Sequence, residues 1–194
     1  MAFLGIKVSD NIGQLLSKVN VPGEKTSPSE MHITLFYFEN FSIDDVIKSL
    51  EVIFELTTNT KPFNVKTNMV SHFPGWGDKD DKKCAVIAKI TSDDLHKFRD
   101  KLADDLDDAN VEFSKTYKDY KPHITLSYSQ EEPEDFDLPD PVEFTVSEIT
   151  LWGGEEMNDK LIVDFPLSYD KTEKNSFLIK RIEMMEKIAD NLLI

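Results

Sequence analysis

Residues 31–38 read MHITLFYF and residues 120–128 read YKPHITLSY, so the word His-Ile-Thr-Leu stands twice, 91 residues apart, in a chain with four histidines. On a β-strand alternate side chains point the same way. Each word therefore predicts an amphipathic strand, with His32 and Thr34 on one face and Ile33 and Leu35 on the other. His123 and Thr125 stand likewise against Ile124 and Leu126. A lone strand histidine is ordinarily structural, and Thr is simply a good strand former. Repetition changes that reading. With 12 Thr in the chain, chance puts Thr two places after two of four histidines about 2% of the time, before Ile and Leu are asked to match.

Outward from the two words, the elements recur. FLGIKV (3–8) predicts a strand, followed by the connection VPGEKTSPSE. After the first word comes a helix over 43–56, entered through Ser42 with Asp44 and Asp45 in its first turn. PFNVKTNMVSHF (62–73) and KCAVIAKI (83–90) predict a strand pair around PGWGDKDD. A second helix spans 92–109, with Leu95, Phe98, Leu102 and Leu106 at helical spacing. The second word, an acidic Pro-rich loop, and a hairpin of VEFTVSEITLWG (142–153) and KLIVDFPL (160–167) complete the body. Helix, HITL strand and hairpin thus occur in both halves in shifted order. A period near 90 residues is too long for a solenoid and predicts an α+β domain of two pseudo-symmetric lobes over residues 1–170. Residues 171–194 carry an apolar stripe (Phe177, Leu178, Ile182, Met185, Ile188, Leu192, Leu193) and predict an amphipathic C-terminal helix, packed on the body or used for self-association.

Composition bounds the function. At 194 residues and 40% hydrophobic content, with 13 Phe, the chain supports one substantial core. No apolar run approaches the ~20 residues of a membrane span, so no membrane partner is expected, and the start MAFLGIKVSD has no basic, cleavable leader pattern, so secretion is not expected. The single cysteine, Cys84, fits the reducing cytoplasm and reads as a buried strand thiol. There is no Cys pair, HExxH or EF-hand loop, so neither metal nor other cofactor is expected. A net charge of −15 excludes a duplex nucleic-acid footprint. The acid concentrates in DDLDD (104–108) and EEPEDFDLPD (131–140), whereas KTYKDYKPH (115–123) has three lysines against one aspartate. That distribution favours a compact phosphorylated ligand over a polyanion.

Two histidines and two threonines suit a phosphodiester. Metal-free P–O cleavage needs a base for the attacking hydroxyl and an acid for the leaving oxygen, and imidazole serves as either near neutrality. The hydroxyls would donate to the non-bridging oxygens as charge builds. The paired words resemble the HxT signature of the 2H phosphoesterase superfamily, which includes 2′–5′ RNA ligase-like enzymes and cyclic phosphodiesterases. FLGIKV, VPG before the first word, SHFPG and the closing VDFPL are similar to its phage-encoded branch, which includes anti-CBASS nucleases. The resemblance implies two lobes whose antiparallel sheets face a central cleft, with helices outside. It also implies His32, Thr34, His123 and Thr125 as a metal-independent catalytic set. The function it implies is cleavage of small cyclic or short oligonucleotides, such as cyclic di- or trinucleotide signals or 2′–5′ oligoadenylates, in phage counter-defence. An RNA-end 2′,3′-cyclic phosphodiesterase or ligase-like repair enzyme is the alternative within the class. A nucleotide-sequestering module is a third, although such a module would usually have lost one of the four residues.

Base recognition calls for aromatics at the cleft edge. Trp76, in the glycine-flanked PGWGD, is the first candidate, with Tyr120, Tyr37 and Tyr128 behind it and Lys121 as a phosphate contact. Phe36, Phe38 and Tyr128 are assigned to the His/Thr face, and Trp152 to either lobe core or rim. His72 is expected to cap or pack its hairpin and His96 to face solvent.

Overall fold

A computed structural model describes residues 2–38, 43–76, 82–114, 119–153 and 161–167. The two words form strands of two different antiparallel sheets. The first sheet has the order β3-β1-β8-β9, from β1 (Ala2–Lys7), β3 (His32–Phe38), β8 (Glu148–Gly153) and β9 (Leu161–Pro166). The second has the order β2-β6-β5-β4-β7, from β2 (Glu24–Lys25), β4 (Phe63–Trp76), β5 (Lys83–Thr91), β6 (His123–Ser129) and β7 (Phe136–Val146). Helices α1 (Asp10–Leu16), α2 (Ile43–Thr58) and α3 (Asp93–Asp108) complete the α+β fold. The short α1 is absent from the sequence reading.

The lobes are not successive halves of the chain. Residues 142–153, expected as one strand, break at Ser147: β7 lies beside β4 in the second sheet, and β8 lies beside β1 in the first. The apolar positions change parity at this point, from Val142 and Val146 to Ile149 and Leu151, all buried. Strand β7 also reaches back into the acidic segment expected as a loop. Its Pro139 and Pro141 are tolerated because β7 is an edge strand.

Each HITL strand carries a β-bulge at the same place. Between β1 and β3 the register passes from Leu4↔Phe36 to Gly5↔Thr34, leaving Leu35 as the extra residue. Between β5 and β6 it passes from Val86↔Ser127 to Ile87↔Thr125, leaving Leu126. The extra residue reverses the alternation beyond it. Phe36 and Phe38 are consequently buried in the core, not on the His/Thr face as expected. Tyr37 and Tyr128 are turned outward, 37% and 46% exposed. Strict alternation from His123 would have led to Ser127 and Ser129, both buried; the bulge is what returns Tyr128 to the His/Thr side.

Helix α3 starts where Ser92 Oγ accepts the Leu95 N–H at 3.2 Å, and it buries Leu95, Phe98, Leu102 and Leu106 against the second sheet. Helix α2 buries Leu50, Ile53 and Leu56 and lies against β9 and α3. One apolar cluster runs through both lobes. A strap from the first lobe lies along β6: Thr26 N–H donates to the Leu126 carbonyl at 2.9 Å, and Ser127 Oγ donates to the Pro22 carbonyl at 2.7 Å. Gly23 in this strap has φ of 87°, and any side chain there would strike the Tyr128 carbonyl. Cys84 is buried and its thiol donates to the Glu131 carbonyl, as a structural thiol should. No helix among the described residues is long and apolar enough to cross a membrane. The expected C-terminal helix of residues 171–194 lies outside the described residues.

Candidate active site

His32 opens β3 and His123 opens β6, and the hydrogen bonds of their Nδ1 atoms mirror each other. His32 Nδ1 is 2.7 Å from the Glu30 carbonyl, and His123 Nδ1 is 2.8 Å from the Lys121 carbonyl. A carbonyl can only accept, so each Nδ1 carries the proton and each Nε2 is left for chemistry. Burial lowers the pKa of both imidazoles, partly opposed by those carbonyl bonds. For His123 the charge of His32 lowers it further.

Cross-strand partners share a face, so the registers define what surrounds each imidazole. Lys7 stands opposite His32, and Lys89 opposite His123. Gly5 stands opposite Thr34, and Ile87 opposite Thr125. One strand further, Trp152 of β8 stacks on Phe3 at 4.7 Å and reaches His32 at 5.9 Å, while Phe3 itself is 5.1 Å from His32. In the second lobe Phe73 of β4 meets His123 edge-on at 4.7 Å. Each sheet also holds a carboxylate by a hydroxyl: Thr150 Oγ1 to Asp164 at 2.7 Å, and Ser71 Oγ to Asp135 at 2.6 Å. Lys89 pairs with Asp135 at 3.1 Å, and Ser71 and Lys89 together hold that carboxyl below its usual range. The sites differ at Gly5, where a Cβ would lie 2.6 Å from the Ile33 carbonyl and 3.2 Å from the Trp152 ring. The missing side chain lets the indole lie close over the first lobe's floor.

The expected binding residues fare unequally. Tyr128 joins the site, its hydroxyl bonded to that of Thr125; burial and the neighbouring phenol of Tyr37 both disfavour its ionisation. Tyr120 does not present a free ring: its hydroxyl donates to the Thr34 carbonyl at 2.9 Å, and burial pushes its pKa well up. Lys121 contributes its carbonyl to His123, while its side chain is exposed. Trp76 ends β4, and its side chain lies outside the described residues. Trp152 proves to be a rim residue beside His32. His72 has its Nε2 3.9 Å from Glu132 and its Nδ1 4.0 Å from Asp135, at the margin of the second lobe. His96, expected to face solvent, is half-buried with its ring edge-on to Tyr120 at 5.7 Å. Phe3, Phe73, Lys7 and Lys89 are absent from the sequence reading. The alternation of FLGIKV, with Leu4, Ile6 and Val8 inward, was the available signal for Phe3 and Lys7. Among the described residues, no group of three His, Cys, Asp or Glu is placed to hold a metal ion.

The profile of the 2′-5′ RNA ligase superfamily matches residues 23–157. Among solved structures, TT0787 of Thermus thermophilus is similar at 18% identity and TM-score 0.67, covering 87% of this chain and 98% of that one. E. coli LigT complexed with NADP+ is similar at 14% identity and TM-score 0.60, covering 86% and 94%. LigT complexed with 3′-AMP gives 16% and 0.56, covering 86% and 94%. No curated protein matches the sequence closely enough to count as a relative. With the family profile covering most of its length, the chain belongs to the 2′-5′ RNA ligase superfamily of 2H phosphoesterases.

Proposed function

We propose that the protein is a phosphodiesterase for small cyclic or short oligonucleotides. In this reading, His32 and His123 act as the general acid–base pair, and Thr34 and Thr125 hold the non-bridging oxygens. The observation that carries it is the mirrored Nδ1 bonding, which leaves the Nε2 atom of each imidazole for chemistry. One Nε2 takes the proton from a ribose 2′-OH as its oxygen attacks phosphorus. The other gives a proton to the departing 5′-oxygen, leaving a 2′,3′-cyclic phosphate and a free 5′-OH. For a 2′–5′ linkage the 3′-OH is the attacking group. Charge on the non-bridging oxygens grows in this step, and the threonine hydroxyls donate where it does.

Several features support a small ligand. The net charge of −15 disfavours a polynucleotide track. Trp152 and Tyr128 offer ring surface beside the histidines for bases, and Trp76 and Lys121 complete the proposed contacts. The structural relative LigT is described with 3′-AMP, ATP and NADP+, all small nucleotides. We assign the physiological substrate to the cyclic or 2′–5′-linked immune signals, destroyed in the host cytoplasm on behalf of a phage. The RNA-end phosphodiesterase reading is kept because of the family's own description.

The test is chromatography of a substrate panel incubated in EDTA: cyclic dinucleotides, cyclic trinucleotides, 2′–5′ oligoadenylates and an RNA ending in a 2′,3′-cyclic phosphate. His32→Ala/His123→Ala serves as the control. Turnover of one signal class by the intact protein alone is the expected result. Opening of the RNA end only would transfer the assignment to repair, and binding without turnover would make the protein a sequestering module.

A further inference from the structure

Among the described residues the two sheets share no ladder of hydrogen bonds: β3 closes one edge of the first sheet and β6 belongs to the second. The distance between the imidazoles is therefore set by other contacts. Three residues before His123, Tyr120 sends its hydroxyl across to the main-chain carbonyl of Thr34, inside the HxT word of the opposite lobe. The Tyr120 ring does not stand alone. The Arg99 guanidinium from α3 lies 4.6 Å from its centroid, and the same guanidinium lies 4.7 Å from the ring of Phe36 on β3. One cation is thus held between an aromatic ring of each HITL strand region. Phe113 meets Phe36 edge-on at 4.9 Å, and Ser114 N–H donates to the Tyr37 carbonyl at 2.7 Å, so the same seam continues along β3.

Arg99 is an expensive way to fill such a seam. Its side chain is only 14% exposed, its Nε is buried without a hydrogen-bond partner, and its carboxylate neighbour Asp100 stands 3.6 Å away. An apolar residue of similar volume would avoid that desolvation cost. What a planar cation adds is a fixed stacking distance to two rings at once.

We propose that Tyr120, backed by Arg99, is a positioning residue whose hydroxyl bond to Thr34 fixes the separation of His32 and His123. The inference rests on the reading of those histidines as an acid–base pair. In-line transfer requires both Nε2 atoms to reach one phosphate from opposite sides, so a small change in lobe spacing acts on the chemical step. Substrate affinity should be nearly untouched, because the Tyr120 hydroxyl is engaged by Thr34 and its ring by Arg99 and His96.

The decisive variant is Tyr120→Phe, which keeps the ring and the cation stack and removes one hydroxyl. A misplacement approaching 1 Å is expected to lower kcat by about tenfold to a hundredfold, with KM changed by less than about twofold. Substrate-free protein should show a second signature in an NMR titration of the histidine ring protons. In the native protein a charge on one imidazole disfavours a charge on the other. In Tyr120→Phe that coupling weakens, and the His123 midpoint moves up. Arg99→Met should do the same more weakly. Unchanged kcat together with an unchanged titration overturns the proposal. A raised KM with kcat intact also overturns it, and returns Tyr120 to ligand contact. Because the titration needs no substrate, it judges the clamp even where the whole substrate panel fails.

Discussion

Each imidazole of the cleft is held where its neutral form is favoured, and this has consequences for both rate and stability. In the proposed acid–base mechanism one ring is neutral and the other protonated, so the rate would be greatest between their two pKa values. Burial lowers both from 6.5, so the optimum of kcat/KM is expected on the acid side of that value, with activity falling as pH rises and the acid loses its proton. A pH–rate profile of the native protein checks this; an optimum above neutrality would contradict it. The stability sign follows from the same shifts. The unfolded chain takes up protons near 6.5 while the folded state resists them, so stability present above 6.5 is lost as pH falls through the lowered folded values. His32→Asn/His123→Asn should flatten that part of the urea-midpoint profile. At this scale repetition singles out His32, Thr34, His123 and Thr125, and the structure sets His32 and His123 at the starts of two corresponding strands. Nothing in YKPH tells a ring stacked on a base from one stacked on Arg99, which is where the structure places the Tyr120 ring.

The strands carry the next level. A period-two reading locates the HITL strands correctly but assumes that the period persists. Leu35 and Leu126 each interrupt it, and the interruption exchanges Phe36 for Tyr37 on the site's face. The local residues of a bulge differ little from those of regular strand, which is why the exchange was not foreseen. Ser147 is different: the parity change around it was visible and marks the crossing between sheets. Gly5 gives the sharpest test of the first bulge. A Cβ would have to displace the Ile33 carbonyl and would crowd the indole of Trp152, both in the His32 region. Gly5→Ala is expected to lower the thermal midpoint and reduce kcat/KM together. Ala at the equivalent register position, Ile87→Ala, should cost about 2–5 kcal/mol of stability as a buried-side-chain deletion. On helix α3, Ser92 both accepts from Leu95 N–H and donates to the Asn64 carbonyl at 2.8 Å. Ser92→Ala should cost about 1 kcal/mol in urea unfolding with activity retained.

For the molecule as a whole, the distribution of charge separates substrate classes more sharply than any single residue. A protein tracking 6–10 phosphates would lose about 10³–10⁵ in affinity between 50 and 200 mM salt. A net charge of −15 disfavours such a track, and for the proposed short substrate kcat/KM is expected to change by less than about tenfold over that range. A steep salt dependence would favour the RNA-end reading. The α+β class and the duplicated plan were legible from the spacing of the words and helices. The route of the chain between the lobes was not, because helix and strand patterns name elements without naming their neighbours.

That route sets an order of events during synthesis. Strand β1 is made first, yet one of its two neighbours, β8, is made only after the whole second sheet. When residue 146 has left the ribosome, the second lobe has all its strands, whereas β1 and β3 are still an isolated pair. His123 can thus be housed while His32 still waits for Trp152 to close over Phe3. The nascent protein should pass through a stage in which one lobe resists protease and the other does not, and the surroundings of His32 are complete only once β8 has joined β1.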